Sequence, residues 1–153
     1  MINVNVFSEE KAWSKRLKNK NLFFKKVCKA LPKKYQFSNK KISFSLLLSN
    51  NKNIKRLNRD FRNKNKSTDI LSFPSNEKVK ISKDTYLGDI IISYEYLDKP
   101  NSQNLKLFKD KVIKLFIHGF LHLLGFDHKK NNDYYKMLRE EDILFKRIKS
   151  KLN

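Results

Sequence analysis

The sequence predicts an α+β fold (mixed α/β), with four strands and four or five helices sharing one core across a single domain, residues 1–153. Three observations lead there. Short runs of period-two hydrophobicity alternate with longer runs of helical period. Only 3 Gly and 3 Pro interrupt 153 residues, too few for a disordered or fibrous chain. With 39% hydrophobic residues, a chain of this length builds one core but not two.

Each element has its own signal. Ile2, Val4 and Val6 alternate with Asn3 and Asn5, as a half-buried strand does. Ser8 followed by Glu9 and Glu10 reads as a helix N-cap with acids in the first turn, where they complement the helix dipole. The helical region runs to about Leu31 through Trp13, Leu17, Phe24 and Val27; Asn19 and Asn21 are candidate breaks within it, and Pro32 ends it. Residues 42–48 alternate and then turn uniformly apolar, the mark of a strand covered on both faces. Ile54, Leu57 and Phe61 give one apolar helix face, and residues 63–67 read as an exposed loop. Residues 70–73 and 86–93 are the third and fourth strands, joined by a polar excursion over 75–84. After Pro100, apolar residues at 105, 108, 112, 115, 116, 120, 123 and 124 predict a long core-facing helix capped by Gly125 in the left-handed conformation. A final helix spans about Asn132 to Lys149 and carries Glu140, Glu141 and Asp142.

Composition narrows the function classes. A single cysteine, Cys28, makes no internal disulfide and no multi-thiolate metal site, which points to a reducing cytoplasm. The first residues lack the basic start and apolar core of a signal peptide, and the stretch from Leu115 to Phe126 is too short to span a membrane. The net charge of +20 favours polyanions such as nucleic acid. That inference is discounted because 29 of the 35 cations are Lys and 17 residues are Asn, the skew of an AT-rich coding sequence.

All three histidines fall within eleven residues: His118, His122 and His128. On a helix, His118 and His122 are one turn apart on one face, and a positive φ at Gly125 lets the chain swing His128 back toward them. Three neutral imidazoles suit a zinc-like ion and leave a fourth position open, the layout of a catalytic site. The spacing H-x-x-x-H-x-x-G-x-x-H is also that of metzincin proteases, which place a glutamate base directly after the first histidine. Gly119 stands there and takes no proton, so the usual route to peptide hydrolysis is missing.

The run from His118 to His128 closely resembles the signature of the bacterial YbeY family of rRNA maturation factors. Two further blocks agree: Leu57 to Pro74, with Arg62 ahead of Thr68-Asp69, and Leu87-Gly88-Asp89-Ile90. Ser67 stands where the family usually has Pro, and Phe126 where it usually has Tyr. The resemblance implies a fold related to zincins, a four-stranded sheet flanked by helices, with the metal site on a long helix and the turn after it. It implies a metal-dependent, single-strand-specific endoribonuclease acting on small-subunit rRNA at its 3′ end and in ribosome quality control. Its expected partners are RNA, the ribosome or a small-subunit ribosomal protein, and an assembly GTPase, with no membrane. The competing readings are a non-catalytic ribosome-assembly factor with a structural metal and, further off, a zincin-type protease.

On this reading His118, His122 and His128 hold one Zn²⁺, although three imidazoles also admit Ni²⁺ or another divalent ion. Arg62 is the expected catalytic contact to phosphate, its fork matching two phosphate oxygens. Asp127 is either a carboxylate orienting a ligand imidazole or a turn cap. Thr68 and Asp69 either line the site or cap a loop. The basic stretch from Lys55 to Lys66 is poor in aromatics and predicts contact with the RNA backbone more than base stacking.

Overall fold

The computed structural model describes residues 2–98 and 104–153. Pro100, read from the sequence as the break before the long helix, lies outside them. The strands are β1 (Ile2–Ser8), β2 (Lys41–Ser49), β3 (Ile70–Pro74) and β4 (Asp84–Ser93). They form one sheet in the order β1-β2-β4-β3, parallel except for β3, which pairs antiparallel with β4 and whose other edge has no partner strand among the described residues. The helices are α1 (Ala12–Arg16), α2 (Lys20–Ala30), α3 (Asn51–Arg62), α4 (Tyr94–Leu97), α5 (Leu105–Leu123) and α6 (Asn131–Leu152), with a 3-10 turn at Lys33–Tyr35.

Alternation along the strands sorts side chains to two faces. Ile42, Phe44, Leu46 and Leu48 of β2 and Ile90 and Ile92 of β4 point to the face covered by α2, α5 and α6, where they join Phe24, Phe116 and Phe120 in the main core. The Phe44 ring lies 5.8 Å from Phe116 and 5.6 Å from Phe120 between centroids. On the opposite face Ile54 of α3 packs with Leu71 and Ile91 in a smaller cluster. On that face α3 covers β3 and β4 but not β2, whose Leu47 stays half-buried, so the uniformly apolar end of β2 is covered fully on one face only and not on both as the sequence predicts.

The four strands and the long helix stand where the periodicity puts them, while Ser8 and Leu105 differ. Ser8 closes β1 and caps nothing; α1 begins at Ala12 after Lys11, without a side-chain cap, and Glu10 Oε2 accepts the Ala12 N–H at 3.3 Å. Parallel pairing of β1 with Leu48 of β2 holds Ser8 in extended backbone, and this outweighs its capping preference. The helical region up to about Leu31 is split at one of its candidate breaks into two helices, and the Asn19 side chain caps the second by accepting from Leu22 N at 3.0 Å. Leu105, assigned to the core stripe by periodicity, is exposed at the first turn of α5.

Candidate metal centre

The site is built where the C-terminal end of α5 passes the open edge of the sheet. An unbroken helix through His122 sets His118 and His122 on one face, with their Nε2 atoms 3.1 Å apart. The helix ends in a Schellman turn: Gly125 N–H donates to His122 O at 3.0 Å and Phe126 N–H to Leu121 O at 3.0 Å. Gly125 takes φ +94°, a conformation that a Cβ disfavours, and this reversal carries His128 back over the helix end. The ring centroids of His128 then lie 5.7 Å from His118 and 5.0 Å from His122, and one nitrogen from each ring falls within 4.8 Å of the others.

Hydrogen bonds fix how these rings present themselves. His122 Nδ1 lies 2.9 Å from the Phe126 carbonyl oxygen, which only accepts, so Nδ1 carries the proton and Nε2 is left with its lone pair. His118 Nδ1 lies 2.9 Å from Glu141 Oε1 on α6, and the carboxylate imposes the same tautomer. With both rings neutral, two lone pairs face each other across 3.1 Å, a repulsion that a cation between them, or a proton shared by the two nitrogens, relieves. Bonds of 2.0–2.1 Å in a tetrahedral site put ligand nitrogens about 3.3 Å apart, close to this spacing. Burial, and then the neighbouring His118, lowers the His122 pKa and keeps the ring neutral, the form that binds metal. The donor set fits a single divalent cation.

Glu141 is the orienting carboxylate, and its role went unread in the sequence. The signal was present: Met137, Leu144 and Ile148 are buried on α6, and position 141 continues their four-three-four spacing. An acid in an apolar stripe calls for a partner. Asp127, the sequence candidate, instead accepts the His128 backbone N–H at 2.7 Å, and that bond lowers its pKa first of all, as for a turn carboxylate.

Arg62 ends α3, whose backbone stops at Asn63 in the left-handed conformation, φ 56°. Its Nη2 donates to Ser72 O at 3.0 Å and its guanidinium lies 5.5 Å over the Phe73 ring. Of five donors this bond uses one. The side chain lines the same cleft of about 570 Å³ as the three histidines, Thr68, Asp69 and Glu77. Buried Asn58 braces the approach, donating from Nδ2 to Lys66 O at 2.9 Å and holding the loop after α3.

Gly119 explains why no acid follows the first histidine. A Cβ at this position would lie 2.9 Å from both Ile70 Cδ1 and Ile90 Cγ2 and 3.0 Å from Ser72 Oγ. The residue faces the sheet at close approach, leaving no room for a glutamate side chain. A metzincin-type base would fit here only if α5 moved away from the sheet.

Comparison with known proteins gives the family. A family model described as Endoribonuclease YbeY matches residues 5–149. The chain is 56% identical over 152 residues to a protein named Endoribonuclease YbeY from Pelagibacter ubique, covering 99% of each chain. It is 32% identical over 149 residues to the protein of that name from Sulfurihydrogenibium, covering 96% of this chain and 94% of the relative. Among solved structures it resembles the solution structure of TM1509 from Thermotoga maritima, with a TM-score of 0.57 and 25% identity, covering 97% of this chain and 89% of the other. With its sequence matched nearly end to end and its fold shared, the chain belongs to the YbeY family of endoribonucleases.

Proposed function

We propose that this chain is a metal-dependent, single-strand-specific endoribonuclease of the cytoplasm, acting in rRNA maturation at the 3′ end of small-subunit rRNA and in ribosome quality control. One domain carries the activity, with Zn²⁺ on His118, His122 and His128 and Arg62 as the catalytic contact to phosphate. The observation that supports this most directly is the convergence of three imidazole nitrogens, those of His118 and His122 3.1 Å apart and that of His128 within 4.8 Å of them.

A bound divalent cation supplies Lewis-acid polarisation of a phosphoryl oxygen, and three imidazoles suit zinc. The protein contributes the rest. Glu141 and the Phe126 carbonyl hold two imidazoles in the tautomer that presents Nε2. Arg62, fixed by the Ser72 carbonyl, presents its remaining N–H groups to a phosphodiester and to the charge that grows on it during cleavage. RNA offers a 2′-hydroxyl beside each phosphate, a nucleophile that peptides lack, and this suits a helix with glycine where a protease keeps its base. The net charge of +20 draws a polyanion to the cleft.

The test is metal content and cleavage measured together, on a single-stranded small-subunit rRNA fragment, for the wild type, His122→Ala and Arg62→Ala, each with a chelator control. The expected result is about one metal ion per chain, with cleavage lost in chelator and in both variants while their fold persists. Cleavage indifferent to both substitutions overturns the reading.

A further inference from the structure

The face of the sheet beside α3 carries a second concavity, separate from the histidine cleft. It is a groove of about 500 Å³ with Leu47, Phe73 and Ile91 along its floor and Phe7, Leu57 and Phe61 around it. Its aromatic residues come from three elements far apart in sequence, and two of them are largely in solvent: Phe61 is 70% exposed and Phe7 57%. Phe61 and Phe73 meet edge to face at 5.7 Å. Exposed aromatics gathered in one place, on a chain that is one-third charged, mark a binding surface more often than a chance patch.

Two further observations identify the occupant. The groove is bordered by α3, which carries Lys52, Lys55, Arg56, Arg59 and Arg62 against a single acid, Asp60, so the surroundings favour an anionic ligand. One contact bridges it to the histidine cleft: Arg62 lines that cleft while its guanidinium lies over the ring of Phe73, which lines the groove. Ser72 and Phe73 are successive residues of β3, the open edge of the sheet, and point to opposite faces. A polymer held at the cleft passes Arg62, crosses this edge and reaches the aromatic groove.

We propose that this groove is a base-stacking subsite for single-stranded RNA, receiving nucleotides that flank the phosphate bound at the histidine cleft. The inference rests on the ribonuclease reading and extends it. Phe61 and Phe7 offer π faces to successive bases, and the α3 cations accompany the backbone. Asp89, exposed in the groove with the Tyr86 hydroxyl donating to it, repels phosphate and accepts N–H groups from a base, which orients the bases inward. The stretch from Lys55 to Lys66 holds only one aromatic residue, and folding brings Phe7 and Phe73 to it.

The test is fluorescence anisotropy with labelled oligoadenylate of roughly 12 nucleotides, within the span a stacking platform occupies, and with an abasic ribose-phosphate strand of equal length. Wild type, Phe61→Ala, Phe7→Ala and Phe61→Tyr are compared in chelator, so that binding is read without cleavage. Circular dichroism confirms each fold. Loss of one stacked base weakens binding of oligoadenylate by about tenfold, Phe61→Tyr restores it, and the abasic strand binds wild type and Phe61→Ala alike. Equal binding of oligoadenylate by wild type and Phe61→Ala overturns the proposal. A dimer in sedimentation that Phe61→Ala dissociates also overturns it, assigning the groove to a second copy. The two readings fail separately: uncleaved RNA with Phe61-dependent binding sinks the nuclease reading alone, and cleaved RNA with Phe61-independent binding sinks the subsite alone.

Discussion

Replacing Gly119 by alanine tests whether the contact of α5 with the sheet sets the position of the histidines. The new Cβ would meet Ile70 Cδ1 and Ile90 Cγ2 at 2.9 Å and Ser72 Oγ at 3.0 Å. The first is the end of a side chain that swings, and the serine hydroxyl rotates. Ile90 is fully buried, and its Cγ2, carried directly on the β-carbon, moves only with β4 or by a χ1 rotation that the packed core resists. Alanine gains about 1 kcal/mol over glycine in helix propensity, while overpacking of this kind costs about 1–3 kcal/mol. The net expectation is destabilisation by about 0–2 kcal/mol, since the clash outweighs the propensity. Relief comes by moving α5 away from β3 and β4. Ser72 donates to Gly119 O at 3.3 Å and its own carbonyl holds Arg62, so the same movement separates the histidines from the guanidinium. Urea unfolding followed by Trp13, the one tryptophan and fully buried, gives the stability, and RNA cleavage gives the geometry. A variant stabilised by about 1 kcal/mol with unchanged cleavage would show propensity acting alone and refute the close-approach argument.

Four other outcomes follow from the same contacts. Glu141→Ala lowers metal affinity by about 10- to 100-fold, as loss of an orienting carboxylate does, and Glu141→Gln, which keeps an acceptor, loses less; competition with a chromophoric chelator reads both. Arg62→Ala lowers cleavage by about 10²- to 10³-fold with metal content unchanged, and Arg62→Lys recovers little, because an ammonium cannot reproduce the fork. Burial alone would raise the Glu140 pKa, but the Lys34 ammonium and Tyr35 hydroxyl, both at 2.6 Å, outweigh it and hold the pKa below its usual 4.5. A lowered folded value means that the stabilisation is full above the unfolded pKa and fades as pH falls through the folded one. The stability gap between wild type and Glu140→Gln should therefore close in acid, and a gap independent of pH would refute the pairing. Burial pushes the Cys28 thiol up to about 12, so thiol reagents at neutral pH should leave the folded chain unlabelled, as mass spectrometry would show.

Legibility from sequence followed the range of the forces involved. β2 and α5 could be read because their patterns repeat over many residues and burial enforces most positions. The three histidines could be read because the geometry joining them is local, one helical turn and one glycine reversal. Ser8 misled because capping is a local preference of about 1 kcal/mol, and pairing of β1 with β2 overrides it. Glu141 reaches His118 from 23 residues away, through the packing of α6 on α5 that no local pattern records. The aromatic groove was hidden for the same reason, since Phe7, Phe61 and Phe73 share no periodicity and meet only when β1, α3 and β3 are placed together.

The close approach at Gly119 links this fold to its choice of bond. Where the sheet stands off from such a helix, a glutamate can follow the first histidine and serve a peptide. Here Ile70, Ile90 and Ser72 occupy that space, and the acid beside the histidines, Glu141, arrives from α6 to bond His118 Nδ1. The charged group that Ser72 does position is a cation, Arg62, drawn from α3 around the sheet edge by the Ser72 carbonyl. A phosphodiester gains a second negative charge as it passes to its transition state, and a fixed guanidinium strengthens its hold over that interval. A peptide carbonyl under attack needs a proton acceptor that this helix cannot carry. One packing contact therefore crowds out the protease's base, while the serine that makes it anchors the guanidinium proposed to meet the phosphate.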